Sequence, residues 1–197
     1  MSEQLWNAMP VRFLEGDRLY LRPIGLEDAE FYFHKLFDPE LRRLTGTQKH
    51  FTLEGTHRYI ESVSTDSSAI LLLIALSDGD EVIGDIALQD MDSINRNASL
   101  RIAIDSGQHM GKGYGPEAIR LLLEYAFGIL NLHRIELQVF AYNERAIKAY
   151  EKVGFIREGV QRDVLYYNHE YHDSIVMSIL EHEYRARYLN NNVVDMK

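Results

Sequence analysis

The stretch that decides the fold is Gln108-His109-Met110-Gly111-Lys112-Gly113-Tyr114-Gly115-Pro116-Glu117, with three glycines at alternate positions. A glycine has no Cβ, so the backbone can turn sharply here and approach a ligand closely. Pro116 has a fixed φ and no N–H, which suits the first turn of a helix. The stretch therefore predicts a loop leading into a helix N-terminus, where free N–H groups and the helix dipole favour an anion such as phosphate.

The sequence on both sides of this loop alternates between strand and helix patterns. Residues 98–104 predict a strand that leads directly into the loop, and the apolar residues of 118–130 recur at helical spacing. Further strands are predicted at 18–22, 69–76, 82–88, 134–139, 155–167 and 171–180, and further helices at 27–37, 52–63, 144–153 and 180–188. The interleaved order predicts an α+β (α/β-like) domain.

Length and composition predict one domain. The chain has 197 residues, of which 46% are hydrophobic, and no apolar run approaches the roughly 20 residues needed to span a bilayer. We expect a lead-in segment at residues 1–16, a single domain at 17–189 and a flexible tail at 190–197. The chain has no cysteine, which excludes disulfides and thiolate metal sites and fits a cytoplasmic protein.

The net charge of −9 is unevenly distributed. Residues 1–92 carry 17 acidic and 8 basic side chains (17 − 8 = 9 excess acids), whereas residues 93–197 carry 13 of each. An acidic half repels nucleic acid and attracts a cationic small molecule. A solvated acidic surface is the alternative interpretation.

Two common nucleotide-binding loops do not match the glycine spacing. A P-loop requires Ser or Thr after the lysine, but Lys112 is followed by Gly113. A dinucleotide-binding fingerprint requires a different glycine spacing and an acidic residue about 20 positions later, where this chain has none.

A second motif follows about 30 residues later and reads Asn143-Glu144-x-Ala146-x-x-Ala149-Tyr150-Glu151-Lys152-x-Gly154-Phe155. Together with Gln108-x-x-Gly111-x-Gly113-x-Gly115, it resembles the GNAT superfamily of acyl-CoA-dependent N-acetyltransferases, over roughly residues 17–185. Within it, the chain is most similar to polyamine acetyltransferases and to enzymes that acetylate ribosomal-protein N-termini. The resemblance implies a central mixed, mostly antiparallel, twisted sheet flanked by helices, with acetyl-CoA as co-substrate and no metal.

The resemblance also implies the roles of individual residues at the donor site. The backbone of Ile102, Ala103 and Ile104 would pair with the pantetheine arm. The pyrophosphate would be wrapped by the loop residues Met110, Gly111, Lys112, Gly113, Tyr114 and Gly115. Lys112 would either contact phosphate or remain solvated, and Asn143 would bind the cofactor, cap its helix, or do both.

Tyr150 is the predicted catalytic residue, because the family places there the tyrosine that protonates the CoA sulfur. A phenol with a pKa of about 10 holds its proton at pH 7 and can deliver it as the thiolate forms. The alternative is that Tyr150 is one more packed tyrosine among twelve.

The general base is the point at which this sequence departs from its relatives. Many relatives have a glutamate where this chain has Ser99, so a water chain, a backbone route or an acid such as Asp85, Asp90 or Asp92 must remove the amine proton. A second departure is the turn Asn168-His169, where relatives favour Asn-Gly. Because histidine tolerates positive φ less readily than glycine, this turn is expected to be of another type.

His169 and His172 lie three positions apart in a turn and strand, without a third ligand in view. They are therefore interpreted as surface histidines rather than a metal site. The sequence as a whole predicts direct acetyl transfer in a ternary complex to a primary amine, with a polyamine as first choice. The alternatives are a protein N-terminus as acceptor and a CoA-binding regulatory module without turnover. The family's exposed sheet edges make a homodimer or larger homo-oligomer possible.

Overall fold

The computed structural model describes residues 11–105 and 107–189. One sheet of eight strands runs through the molecule in the order β1-β2-β3-β4-β5-β6-β8-β7. The strands are Leu14–Glu15 (β1), Leu19–Pro23 (β2), Ile70–Leu76 (β3), Val82–Asp92 (β4), Asn97–Ile104 (β5), Arg134–Phe140 (β6), Ile156–Tyr167 (β7) and Glu170–Leu180 (β8).

Six helices of the described residues flank this sheet. They are Ala29–Lys35 (α1), Pro39–Thr45 (α2), Leu53–Thr65 (α3), Tyr114–Gly128 (α4), Glu144–Val153 (α5) and Glu181–Tyr188 (α6), and a single 3-10 turn at Leu26–Asp28 precedes α1. Within the described residues β5 and β6 form the one parallel strand pair. The predicted architecture, an α+β fold with a mixed and mostly antiparallel sheet between helices, is confirmed.

The two faces of the sheet carry separate apolar cores. The larger core packs α4, α5 and α6 against residues such as Ile86, Leu100 and Ile135. The smaller core packs α1 and α3 against Leu73 and Ala87 on the opposite face. Successive side chains of a strand point to opposite faces, so β3 and β4 contribute to both cores.

The sheet opens between β5 and β6. Their parallel pairing covers Asn97 to Ser99 on β5 and Arg134 to Glu136 on β6. Both strands continue beyond these pairs, to Ile104 and Phe140, without further pairing to each other. The two strand ends therefore diverge, and the gap between them is where the glycine loop begins.

Two local features differ from what the sequence predicted, and a third prediction is untested. Asp38 and Pro39 begin the helix α2, whose N-cap is the Asp38 side chain accepting from the Leu41 N–H at 2.8 Å. The segment predicted as a lead-in contains β1, which pairs with β2. The predicted tail, 190–197, lies outside the described residues.

The turn between β7 and β8 also corrects a prediction. Asn168 and His169 have φ values of 51° and 69°, so both central residues of this two-residue loop are left-handed, as in a type I′ turn. The expectation of another turn type was wrong. The twist of the paired strands requires this turn, and it overrides the weak local preference of histidine.

The approach of β4 to β5 depends on Gly84. A Cβ at this position would lie 2.4 Å from the carbonyl oxygen of Ala103, which belongs to the backbone and cannot move aside cheaply. We expect Gly84→Ala to destabilise the fold by about 1–3 kcal/mol, as overpacking does, and to lower the Tm measurably in a thermal melt. Gly159→Ala is the matched control, because a Cβ there meets nothing within 4 Å. Equal Tm values for the two variants would contradict this role of Gly84.

Candidate active site

A cavity of about 660 Å³ occupies the gap between β5 and β6. It passes from the glycine loop and the first turn of α4, along the divergent strand ends, to α2 on the other face of the sheet. Its lining includes Ile102, Ala103, Ile104, Met110, Gly111, Gly113, Tyr114, Gly115, Asn143 and Tyr150. Ten of the eleven residues that the sequence singled out thus line one cavity, and Lys112 is the exception.

The glycine loop has the backbone that its sequence predicts. Gly111 and Gly113 have φ values of 79° and 84°, a left-handed conformation that side chains rarely adopt. Gly113 is the N-cap of α4, which begins at Tyr114. The loop therefore presents the N-terminus of a fifteen-residue helix at one end of the cavity, and such an end attracts an anion.

A half-buried ion pair between Arg18 and Glu117, which the sequence did not indicate, supports this loop. Glu117, 5% exposed in the first turn of α4, accepts from the backbone N–H of Arg18 and from its Nε, both at 2.8 Å. The other side of the Arg18 guanidinium donates to the carbonyl oxygen of Lys112 at 3.0 Å and lies over the Tyr114 ring. Arg18 thus ties the start of β2 to the loop. The residues are far apart in sequence, which is why no local motif reveals the contact.

Lys112 borders a second, adjacent cavity of about 480 Å³ rather than the main one. Arg120, Lys152 and Arg187 line this second cavity with it. Lys112 is therefore a loop residue that borders a basic surface next to the main cavity. Asn143 caps α5, since its side chain accepts from the Ala146 N–H at 3.2 Å, and it also lines the main cavity.

Tyr150 projects from α5 into the middle of the cavity. Its side chain is 8% exposed, its ring packs edge-on against Phe155, and its hydroxyl makes no hydrogen bond with the described residues. Burial raises the pKa of Tyr150 to about 12, although the positive charge of Arg101 acts in the opposite direction. The phenol is therefore protonated at neutral pH and has a free hydroxyl to offer a bound molecule.

The edge of β5 beyond Ser99 borders the same cavity. Ile102, Ala103 and Ile104 are paired with β4 on one side, and the pairing with β6 on the other side has already ended. An extended molecule can lie along this edge in the manner of an added strand.

None of the three proposed acidic bases lines the cavity. Asp85 lies in the small core with its carboxylate between Lys35 at 2.9 Å and Arg101 at 2.6 Å. Asp92 accepts from the backbone of the turn after β4, and Asp90 is exposed. Among the residues that the structure describes, those that line the cavity are apolar, neutral or basic. Ser99 faces the cavity beside Gln89, its partner on β4.

The ionic cluster around Asp85 is the main feature that sequence reasoning missed. Burial alone would raise the pKa of Asp85, but Arg101 and Lys35 hold it below its ordinary value. Lys35 also donates to the carbonyl oxygen of Ala103, and Arg101 donates to the Tyr32 hydroxyl at 3.2 Å. In the sequence, the alternation of polar and apolar residues along β5 indicated only which face of the strand carries Arg101. Its partners could not be predicted, because they come from β4 and α1.

The described residues contain no group of three or more His, Asp or Glu side chains arranged to hold a metal ion. His172 contacts the carbonyl oxygen of Tyr167 at 3.2 Å, within the β7–β8 hairpin. As far as the structure describes the chain, no helix is long and apolar enough to cross a membrane.

Comparison with known proteins assigns the class. Residues 18–156 match the family described as acetyltransferase (GNAT) domain. An uncharacterised N-acetyltransferase, p20 of Bacillus licheniformis, is 32% identical over 175 residues, which is 87% of this chain and 97% of the relative. The spermidine N(1)-acetyltransferase of Vibrio cholerae is 38% identical over 106 residues, 54% of this chain and 61% of that protein.

A solved structure supports the same class. The spermidine N-acetyltransferase of Vibrio cholerae in complex with CoA and spermine superposes with a TM-score of 0.80 at 27% identity, over 84% of this chain and 97% of that one. The split sheet and the glycine loop thus define an acetyltransferase, which confirms the predicted enzyme class. The chain belongs to the GNAT acetyltransferase family.

Proposed function

We propose that this protein transfers the acetyl group of acetyl-CoA to a primary amine, directly within a ternary complex of enzyme, donor and acceptor. The observation that carries the proposal is the single cavity that joins the glycine loop, the open edge of β5 and the free hydroxyl of Tyr150. The pyrophosphate would lie at the N-terminus of α4, with the pantetheine arm along Ile102 to Ile104 and the thioester near Tyr150. Lys112 would supply a positive charge beside the phosphates.

The chemistry follows from the groups that line the cavity. The neutral amine attacks the thioester carbonyl carbon, the C–N bond forms and the C–S bond breaks. Tyr150 gives its proton to the departing thiolate, and the amine proton leaves through water because no carboxylate of the described residues lines the cavity. Ser99 cannot accept that proton unaided at neutral pH.

Two acceptor classes are supported by different observations. A polyamine agrees with the acidic N-terminal half and with the relatives that are named spermidine acetyltransferases. A protein N-terminus agrees with the lining of the cavity, where the described residues offer no acidic side chain to hold several positive charges. A putative ribosomal N-acetyltransferase of Bacillus subtilis is 37% identical over 111 residues, 56% of this chain and 60% of that relative.

Thiol release from acetyl-CoA tests the proposal. We expect turnover with at least one of spermidine, spermine, simple alkylamines and peptides with a free N-terminus, and saturation by both substrates in a sequential pattern. A parallel ping-pong pattern would contradict direct transfer. Tight binding of CoA without turnover of any amine would instead indicate a regulatory module.

A further inference from the structure

The side chain of Arg101 places a permanent positive charge in the cavity, where the reaction needs a neutral amine. Arg101 lies on the same face of β5 as Ser99, two residues away, and both side chains line the cavity. Leu41, Leu44 and Thr45 of α2 close this side of the cavity. The cavity end that holds Arg101 is therefore the one opposite the glycine loop, where the acceptor would enter.

The guanidinium of Arg101 is fixed but not covered. Its two hydrogen bonds to described residues both come from Nη2, to Asp85 at 2.6 Å and to Tyr32 at 3.2 Å. Nε and Nη1 make none with those residues, and one third of the side chain is exposed. Arginine does not lose its proton in proteins, and the Asp85 carboxylate raises the pKa of Arg101 further.

The groups around Arg101 leave the positive charge on the cavity side. The titratable side chains that act on it or pack beside it come from β4, α1, α3 and α5, and are Asp85, Tyr32, Lys35, Tyr59 and Tyr150. Burial raises the pKa of Tyr32 and of Tyr150, so both are neutral at pH 7. Asp85 is shared with Lys35, which also pairs with Asp105 at 3.2 Å. Of this cluster, Arg101 and Tyr150 line the cavity, so a bound amine meets the cation rather than the carboxylate.

A nearby positive charge disfavours the ammonium form of an amine and lowers its pKa. Lowering the pKa of the amine does part of the work of a general base. The described lining of the cavity offers no carboxylate for that role. The same charge repels an acceptor that carries further ammonium groups. An α-amine has an ordinary pKa of about 8 and an alkylamine one of about 10.4. The α-amine therefore needs a smaller decrease in pKa to be neutral at pH 7.

We propose that Arg101 determines acceptor specificity and that the acceptor is an α-amine, as at a peptide N-terminus, rather than a polyamine. The inference rests on the proposed function and narrows its acceptor class. In the reaction the α-amine releases its ammonium proton to water on the way in, is held neutral beside Arg101, and then attacks the thioester carbonyl carbon. As the C–N bond forms, a second amine proton leaves through water; the C–S bond breaks and the thiolate takes the proton of Tyr150.

The wild-type enzyme provides the first test. The rate constant kcat, measured against pH with a peptide amide carrying a free α-amine, reports the pKa of the bound amine. We expect this pKa to lie below that of the same amine free in solution. A value equal to or above the free value would overturn the proposal, and no variant needs to fold for that result.

Variants then test whether Arg101 is the cause of the lowered pKa of the bound amine. In Arg101→Gln the pKa seen in kcat should rise by about one unit, whereas Arg101→Lys keeps the charge and should keep the pKa low. Arg22→Gln is the matched control, because Arg22 forms a similar partly buried pair with Asp28 at 2.6 Å but does not line the cavity. A merely structural role for Arg101 would lower kcat in Arg101→Gln without moving this pKa.

Acceptor preference provides an independent readout. At pH 7 we expect kcat/KM for the peptide amide to exceed that for spermidine by about 100-fold, since far more of the α-amine is neutral. Arg101→Gln should narrow this ratio by improving spermidine. Preference of the wild type for spermidine would overturn the inference while leaving the proposed function intact. Absence of thiol release with every amine would instead contradict the proposed function.

Discussion

Replacing Tyr150 with phenylalanine is expected to lower kcat by about 100- to 1,000-fold while leaving the affinity for CoA nearly unchanged. The substitution removes one hydroxyl from a ring that stays packed against Phe155, so the departing thiolate loses its proton donor. Steady-state kinetics together with calorimetric titration of CoA measure both quantities. A full rate in Tyr150→Phe would remove the acid role from this residue.

Tyr184→Phe is the control for this experiment. Tyr184 is also buried, and burial raises its pKa to about 12 as well, but it packs against Phe127 and does not line the cavity. We expect its substitution to leave kcat unchanged.

The raised pKa of Tyr150 also predicts the shape of the pH profile. A raised pKa keeps the acid protonated to higher pH, so kcat should not fall on the alkaline side up to about pH 10. A decline beginning near pH 8 would show that a different acid donates the proton.

Replacing Asp85 with asparagine is expected to destabilise the fold by about 3–5 kcal/mol. The substitution leaves Lys35 and Arg101 without their shared carboxylate inside the protein, and removal of one member of a buried ion pair is strongly unfavourable. Chemical denaturation measures the effect. Glu151→Gln is the control, because the Glu151–Arg157 pair is exposed and such pairs contribute about 0–1 kcal/mol.

The pH dependence of this destabilisation has a defined sign. The pKa of Asp85 is lower in the folded protein than in the unfolded chain, so its stabilisation is fully present above the unfolded value of about 3.9. It is lost as the pH falls from there through the folded pKa. The stability difference between wild type and Asp85→Asn should therefore be constant near neutral pH and shrink in acid. A difference that grows in acid would contradict the assignment.

Local sequence was sufficient to predict the loop and helix conformations of the proposed donor site. The glycines at 111 and 113 require a left-handed backbone, Asn143 caps its helix, and Tyr150 follows in the same helical register. These features depend on residues within a few positions of one another. The strand and helix patterns were equally local, and the one helix that sequence reasoning missed, α2, is only seven residues long.

The acceptor side could not be predicted in this way. Asp85, Arg101 and Lys35 meet because β4 pairs with β5 and α1 packs on the same face. The three proposed bases looked equivalent in sequence, and the structure shows one in an ion cluster, one in a turn and one at the surface. Long-range strand pairing, which no periodicity encodes, decided which of these charges face the cavity.

The sequence by itself determined the glycine loop, the helix that follows it and the position of Tyr150, because backbone conformation and helical register are set by neighbouring residues. The tertiary structure alone decided that the sheet opens after Ser99, that Arg101 lines the opening, and that no carboxylate in the described part of the chain does. The charge and burial of side chains at this opening depend on which distant segments of the chain meet there. For this reason the sequence could predict the donor class but not the class of the acceptor.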